Sequence, residues 1–558
     1  MKLYSKLAYT AAGLIFTGSS VFAQSLADAK KAIDAEQYQK AKSMLKNLTT
    51  TQPANADNFF YLGWVYSLQD YTDSAKVVFN KGLAVNPKSA LNMAGLGLVA
   101  HLDKDNSGAT ANFNSAIAAA GKDSKPYLYV GKSYLQIPNG GGTVVPAADA
   151  NAAIAVLLKG ISINPKDAEV DVALGDAYRS QLKSNEAYKY YSDATGINPQ
   201  SAPANVSIGV LWRYADNFED SEKQFQKALS IDPNFGPAYR EWAETDRRWA
   251  QKDPKMASVK IKEAADNYRK YLSLTDLSIE SRLRYADFLL LSGDYKTLQT
   301  EAASMAASAN SNLRIYRYIG YSAYENGDYP AASTALNKWF SQAGPKRIIP
   351  EDYVYLGRVQ LKTNQDSLGI QSLRKAYALD STQSDVISEI GKAYFGMKKY
   401  EQAGDAYKQF TEKGGRSVKL TDYFYEGLSY YYGYDPKKPT TDILLTKADS
   451  AFSYVAQKTA TNPYPDAYLY RARVNDLKEK DRNNIAGLAK PFYEKYIELM
   501  VARGNPTDAN KKNLGEAYAY LGTYAQFKDK DMAKATENFN KAYESDPTNR
   551  QAKAFLKK

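Results

Sequence analysis

The chain has 558 residues and a formal net charge of +11 at neutral pH, with 44% hydrophobic and 24% charged residues. That much apolar side chain builds a core and excludes general disorder, while a basic excess spread along so long a chain favours acidic partners only weakly. With no cysteine and a single histidine, His101, disulfides, a Cys–His pair and zinc sites of the His/Cys kind are excluded, and a Ser–His–Asp triad would have one histidine to use.

Residues 1–23 stand apart from the remainder of the chain. Lys2 and Lys6 give a basic start, Leu7 to Phe16 is mostly apolar, and Val21-Phe22-Ala23 suits signal-peptidase cleavage before Gln24. The segment reads as a secretory signal peptide. Its apolar run is too short to span a bilayer, and no later segment reaches the needed length. Removing it takes the formal charge from +11 to +9. Export leads to the bacterial periplasm, with the extracellular space as the alternative. The absence of a cysteine at the cut excludes a lipid anchor there, so membrane association is expected only through partners.

Beyond that point one interval dominates. Gly63, Gly97 and Gly131 are 34 residues apart, and Gly175 and Gly209 repeat the interval in step with Ala194 and Ala228 and with Pro165, Pro199 and Pro233. A period of this length means a stack of supersecondary units, each touching its neighbours, and makes division into globular domains inappropriate. In the unit from Ala56 to Pro87, Leu62, Gly63 and Tyr66 fall on one face of a first helix, and Ala75, Phe79 and Gly82 on one face of a second. The small residues let the paired helices approach, and the proline closes the second helix.

The pattern divides the mature chain into a repeat array over 24–291, an irregular segment or bend over 292–312 that lacks the expected aromatic, a second array over 313–550 and a polar capping tail over 551–558. Insertions fall between paired helices at 136–148, which holds Pro138, Gly140, Gly141, Gly142 and Pro146, and at 247–255, 433–441 and 478–487. Register resumes after each.

These positions resemble the tetratricopeptide repeat. In the unit from Ala168, Leu174, Gly175, Tyr178, Ala187, Tyr191, Ala194 and Pro199 match its consensus. The next unit continues the match with Ile208, Gly209, Trp212, Ser221, Phe225, Ala228 and Pro233. Later units match more loosely, down to Ala535, Phe539, Ala542 and Pro547. The resemblance implies an all-α solenoid of about 13–14 stacked helix-turn-helix repeats forming a right-handed superhelix, with first helices lining a concave face. It also implies which side chains line that face. They include Arg179, Arg213, Arg240, Arg247, Arg314, Arg317, Tyr321, Tyr324, Arg358 and Lys392, interspersed with Glu169, Glu244 and Glu351. Arginine pairs with carboxylates in two-point fashion and stacks on rings, so this row suits an acidic or extended ligand, or else pairs with the glutamates beside it. The lysine and asparagine with which chaperone adaptors of this family grip a terminal carboxylate are not reproduced at Phe60 and Trp64 or at Leu128 and Lys132.

No other motif carries chemistry. His101, beside Asp103, Lys104 and Asp105, reads as exposed and incidental. Gly131-Lys132-Ser133 resembles the end of a phosphate-binding loop, but Pro126 replaces its first glycine and the triplet lies within a helical pattern. Of the 46 tyrosines many occupy core positions, whereas Tyr430, Tyr431 and Tyr432 cannot all face inward from one helix, so at least one is expected at the surface. The expectation is a non-enzymatic scaffold without cofactor, metal or nucleic acid, binding other proteins through its groove in an envelope or secretion assembly. A glycan-binding or anionic-polymer-binding repeat protein is the alternative.

Overall fold

The computed structural model describes residues 25–138, 144–308, 312–481, 484–504 and 506–557. The signal segment and the glycines of the first insertion lie outside that set. Among the described residues there are 29 α-helices and no strand, the architecture of an all-α solenoid.

The helices pair as the repeat requires. A Cβ on Gly63 would lie 2.4 Å from the Phe79 ring, and one on Gly97 would lie 2.3 Å from Phe113, so these glycines are the sockets into which the second helix inserts its aromatic residue. Tyr191 fills the socket at Gly175 and Phe225 that at Gly209, each ring fully buried. The turn inside each hairpin repeats as well. Glu36, Asp70 and Lys104, 34 residues apart, all have φ near +60°, as do Leu182 and Asp216 at the same interval. In the second hairpin the turn is closed by the N–H of Tyr71 donating to the carbonyl of Tyr66 at 2.9 Å, a helix-ending motif in which a left-handed residue satisfies free carbonyls.

The chain forms two compact units that divide at Glu301 and Ala302, inside the 292–312 segment. That segment is helical over Tyr295–Ser304, with Leu298 and Ala302 fully buried, and continues into a short 3-10 turn, Ala306–Ser308. The first unit contains seven complete hairpins. They are Leu26–Asp34 with Tyr38–Thr51, Ala56–Leu68 with Thr72–Val85, Ala90–Leu102 with Asn106–Ala119, and Lys125–Tyr134 with Ala147–Ile163. Ala168–Ser180 with Ser184–Ile197, Ala202–Tyr214 with Phe218–Ile231, and Gly236–Lys252 with Ala257–Leu274 complete them. The second unit contains six, whose first helices are Arg314–Glu325, Pro350–Lys362, Asp385–Gly396, Leu420–Gly433, Pro465–Lys478 and Asp508–Tyr524.

Two expectations are corrected, and the capping tail gains detail. The 247–255 insertion is helical up to Lys252, lengthening the helix Gly236–Lys252 to 17 residues, and only 253–255 form a turn. The polar tail is a short helix, Arg550–Leu556, that buries Ala552 and stacks Phe555 on Phe539 at 4.4 Å. His101 is buried, with 4% exposure, and its Nε2 lies 3.0 Å from the carbonyl of Gln136. The first residue of the 136–148 insertion thus supplies the ring's polar partner, and Tyr134 lies edge-on to it at 6.0 Å.

The first unit also closes on itself. The turn of its first hairpin meets its seventh: Arg240 donates to Glu36 at 2.5 Å, Tyr271 Oη donates to the same carboxylate at 2.8 Å, and the backbone N–H of Gln39 donates to Asp276 at 2.8 Å. Ala35 joins the apolar cluster of Ala202, Val206, Phe235 and Ala238. Six hairpins of steady rotation bring the start of the chain back beside residues more than 200 positions later.

Candidate functional site

Closure gives the first unit an inner cavity that stays open to water. First helices of its first, second, fourth, fifth, sixth and seventh hairpins contribute to one cavity of about 700 Å3. Tyr129 of the fourth hairpin crosses to the second, with its ring 4.7 Å from Phe60 and 4.9 Å from Trp64, both edge-on. Asp34 reaches water, yet enough protein surrounds it that desolvation raises its carboxyl pKa against the opposing Lys132 ammonium.

Of the arginines expected on the first unit's inner face, Arg179 and Arg213 line this cavity, and all four meet a carboxylate of the same unit. Arg179 pairs with Asp176 at 3.0 Å, Arg213 with Glu241 at 2.8 Å, Arg240 with Glu36 and Glu241, and Arg247 with Glu244 at 3.0 Å. Burial alone would raise the pKa of the Glu241 carboxyl, but the Arg240 and Arg213 guanidiniums outweigh it and hold it below the ordinary value. Glu244 is claimed a second time by Arg284, at 2.6 Å. Arg213, Arg240 and Arg284 thereby brace one hairpin against another, whereas Arg179 and Arg247 pair along their own helices.

Nearby, the carboxylates of Glu222, Asp246 and Glu263 converge closely enough to suggest a cation. The Lys260 ammonium occupies that position, 2.6 Å from Glu222, 2.8 Å from Glu263 and 4.2 Å from the Trp249 ring. Burial and the neighbouring Glu222 carboxylate push the pKa of Asp246 up to about 9, so this group holds its proton at neutral pH.

The second unit distributes its predicted residues differently. Arg317 donates to both oxygens of the buried Asp352, at 2.8 and 2.9 Å, and its ring neighbour is Trp339 at 4.5 Å. Tyr321 is not a groove residue. It is 1% exposed, donates to Asp352 at 2.7 Å and stacks on Tyr355 at 3.9 Å, so it belongs to the contact between hairpins. Arg314 donates to Tyr318 Oη at 2.6 Å. Tyr324, Arg358 and Lys392, by contrast, come together on one cavity of about 480 Å3.

That cavity lies across the first helices of three successive hairpins, Arg314–Glu325, Pro350–Lys362 and Asp385–Gly396. Leu361, Ala393 and Met397 supply apolar lining. Arg358 is held by Glu389 in a two-point pair, Nε to Oε2 at 3.0 Å and an Nη to Oε1 at 2.7 Å. Lys392 and Lys362 are exposed and make no hydrogen bond or ion pair among the described residues. The site therefore offers a guanidinium fixed by Glu389, the Lys392 ammonium without an ion pair, the Lys362 ammonium over the Tyr329 ring at 5.8 Å, the Asp366 carboxylate and an apolar floor. The repeat pattern pointed to Tyr324, Arg358 and Lys392; Lys362 was missed because its position in the unit is not among those that face inward by rule.

No protein-family model and no curated protein matches the chain. Solved structures similar to it include the C-terminal part of a TPR repeat-containing protein from Cytophaga hutchinsonii, 28% identical, covering 49% of this chain and 99% of its own with a TM-score of 0.37. A tetratricopeptide repeat protein from Parabacteroides merdae is 16% identical and covers 44% of this chain and 93% of its own, at 0.29. YrrB, described as a TPR protein with an unusual peptide-binding site, is 20% identical and covers 37% and 96%, at 0.22. Each superposes on less than half of this chain.

Proposed function

We propose that this chain is an exported scaffold that binds other proteins, and that the cavity over Tyr324, Arg358 and Lys392 receives an extended, acidic segment of a partner. The observation that carries the reading is the exposed Lys392, which makes no ion pair among the described residues, together with Lys362, whose ammonium lies over the Tyr329 ring at 5.8 Å but meets no carboxylate, beside an apolar floor on three consecutive first helices. Cations without an ion pair that flank apolar surface select carboxylate-bearing chain over neutral ligand and steer its approach. Catalysis is not part of the proposal: His101 is buried against a carbonyl, and the charged groups of both units are largely engaged in bracing. Export to the periplasm and a place in an envelope assembly rest on residues 1–23 alone.

The test is a crosslinking capture from the native envelope with the wild type and with Lys362→Ala/Lys392→Ala. The expected result is loss of a specific partner from the double variant, with its thermal melt nearly unchanged and the loss mimicked by high salt. Undiminished capture by the double variant rejects the cavity as the binding site. An N-terminal residue of Gln24 on the protein recovered from the periplasmic fraction would establish export, and recovery of the uncleaved chain with the cytosol would refute it.

A further inference from the structure

Next to the cavity, on the same helix, lies Phe395. Two tyrosines of the following hairpin stand beside it: the Phe395 centroid is 6.0 Å from that of Tyr425, at 83°, and 6.1 Å from that of Tyr432, at 71°. Tyr425 and Tyr432 are seven residues apart on the helix Leu420–Gly433, two turns along one face and thus about 10.5 Å apart. They keep 45% and 46% of their surface in water. A repeat that needed these rings only for its core would bury them, as it buries Tyr430 one position away from Tyr431.

The two rings are also held in place. Tyr425 stacks on Tyr407 at 5.8 Å and 19°, and Tyr432 is braced by Tyr400 at 5.6 Å and by the Tyr470 hydroxyl at 3.4 Å from its own. Rings fixed before binding lose little freedom on contact, which is what makes half-exposed aromatic side chains effective anchors. Their hydroxyls add hydrogen-bond capacity at the rim.

Building on the proposed function, we infer that this aromatic slot binds a proline-rich segment of the partner in the polyproline II conformation. Such a segment repeats every three residues, about 9.3 Å, close to the spacing of Tyr425 and Tyr432, so prolines one turn apart rest against successive tyrosines over Phe395. A proline-rich chain has no backbone hydrogen bonds of its own to break and is already extended, and aromatic-lined grooves exploit that pre-formed geometry. Lys392, one helical turn before Phe395, places an ammonium where an acidic residue flanking the prolines would meet it.

The experiment is isothermal titration of the mature chain with two capped peptides, Ac-Glu-(Pro-Pro-Ala)4-NH2 and Ac-Glu-(Gly-Ser-Ala)4-NH2, and with cellohexaose as a neutral glycan. The proline peptide should bind about tenfold more tightly than the glycine–serine peptide. Tyr432→Leu, which keeps apolar volume at a half-exposed position, should remove that preference, as should Tyr425→Leu, with folding of both verified by their thermal melts. Lys392→Ala should weaken both peptides alike and leave the preference intact. Equal affinity for the two peptides overturns the inference, as does cellohexaose binding abolished by Tyr432→Leu in the absence of proline-peptide binding. If neither peptide discriminates while Lys362→Ala/Lys392→Ala still loses the captured partner, the proline assignment fails and the cavity reading survives.

Discussion

The two units are built from the same hairpin and use their charged inner residues to different ends. In the first, Arg240, Tyr271 and Asp276 reach back across more than 200 residues to the opening hairpin, and Arg179 and Arg213, which line its cavity, are each paired with a carboxylate. In the second, the described polar contacts join a hairpin to its neighbour, as Arg473 joins Glu516 43 residues away, and Lys362 and Lys392 stay unpaired. The proposed binding face is accordingly placed where an ammonium is left without an ion pair, at Lys392. In the first unit Arg240 serves closure, Arg213 joins adjacent hairpins, and Arg179 and Arg247 pair within their own helices.

Substitutions can break this contrast, starting with the largest expected effect. Tyr129→Ala should cost about 3–5 kcal/mol, because it opens a hole against Phe60 and Trp64 that hairpins from both sides frame. Chemical denaturation should show this loss in the first unit alone, with the second melting as before. Arg240→Ala leaves Glu36 and Glu241 facing each other with one guanidinium fewer and should cost about 2–4 kcal/mol. Arg473→Ala leaves Glu516, 38% exposed, with water and the Tyr493 hydroxyl as donors, so although the Arg473 side chain is itself 19% exposed the loss should be smaller, about 1–2 kcal/mol. Equal losses for the two arginines would contradict the distinction between the units.

Acidity sharpens it further. Between the ordinary carboxylate value of 3.8 and about 9, the folded chain keeps on Asp246 a proton that the unfolded chain releases. Stability from this group is therefore full at low pH and falls as pH rises through that window. Asp246→Asn does not titrate, so its melting temperature should gain on the wild type progressively from pH 5 towards pH 9. A constant offset between the two melting curves would show that Asp246 is ionised in the fold. The smallest stability effect belongs to Lys392→Ala, within about 0.5 kcal/mol, since no described group depends on its charge.

Hairpin register was legible in the sequence because each socket glycine and its ring are separated by a fixed step, Gly63 to Phe79 or Gly209 to Phe225, which local periodicity displays directly. The left-handed turn residues were harder to see, since Asp70, Lys104 and Leu182 do there what glycine does at Gly327. Closure left no local trace. Glu36 and Arg240 are each ordinary in their own repeats, and only the accumulated rotation of six hairpins makes them neighbours. The same limit explains Tyr321, whose repeat position suggests an inner surface while Asp352 and Tyr355 of the next hairpin draw it into the core. His101 finds its polar partner in the carbonyl of an insertion residue, Gln136, which no periodic rule could supply.

Closure of the first unit can be read at one amide. Gln39 is in the first turn of the helix Tyr38–Thr51, where N–H groups have no partner within the helix, and its N–H donates to Asp276, 237 residues away. Hydrogen exchange at Gln39 should be slow in the wild type and fast in Asp276→Ala, with the rest of that helix little altered. Fast exchange at Gln39 in the wild type would mean that the first unit stands open, and that Arg240 is not reserved for closure.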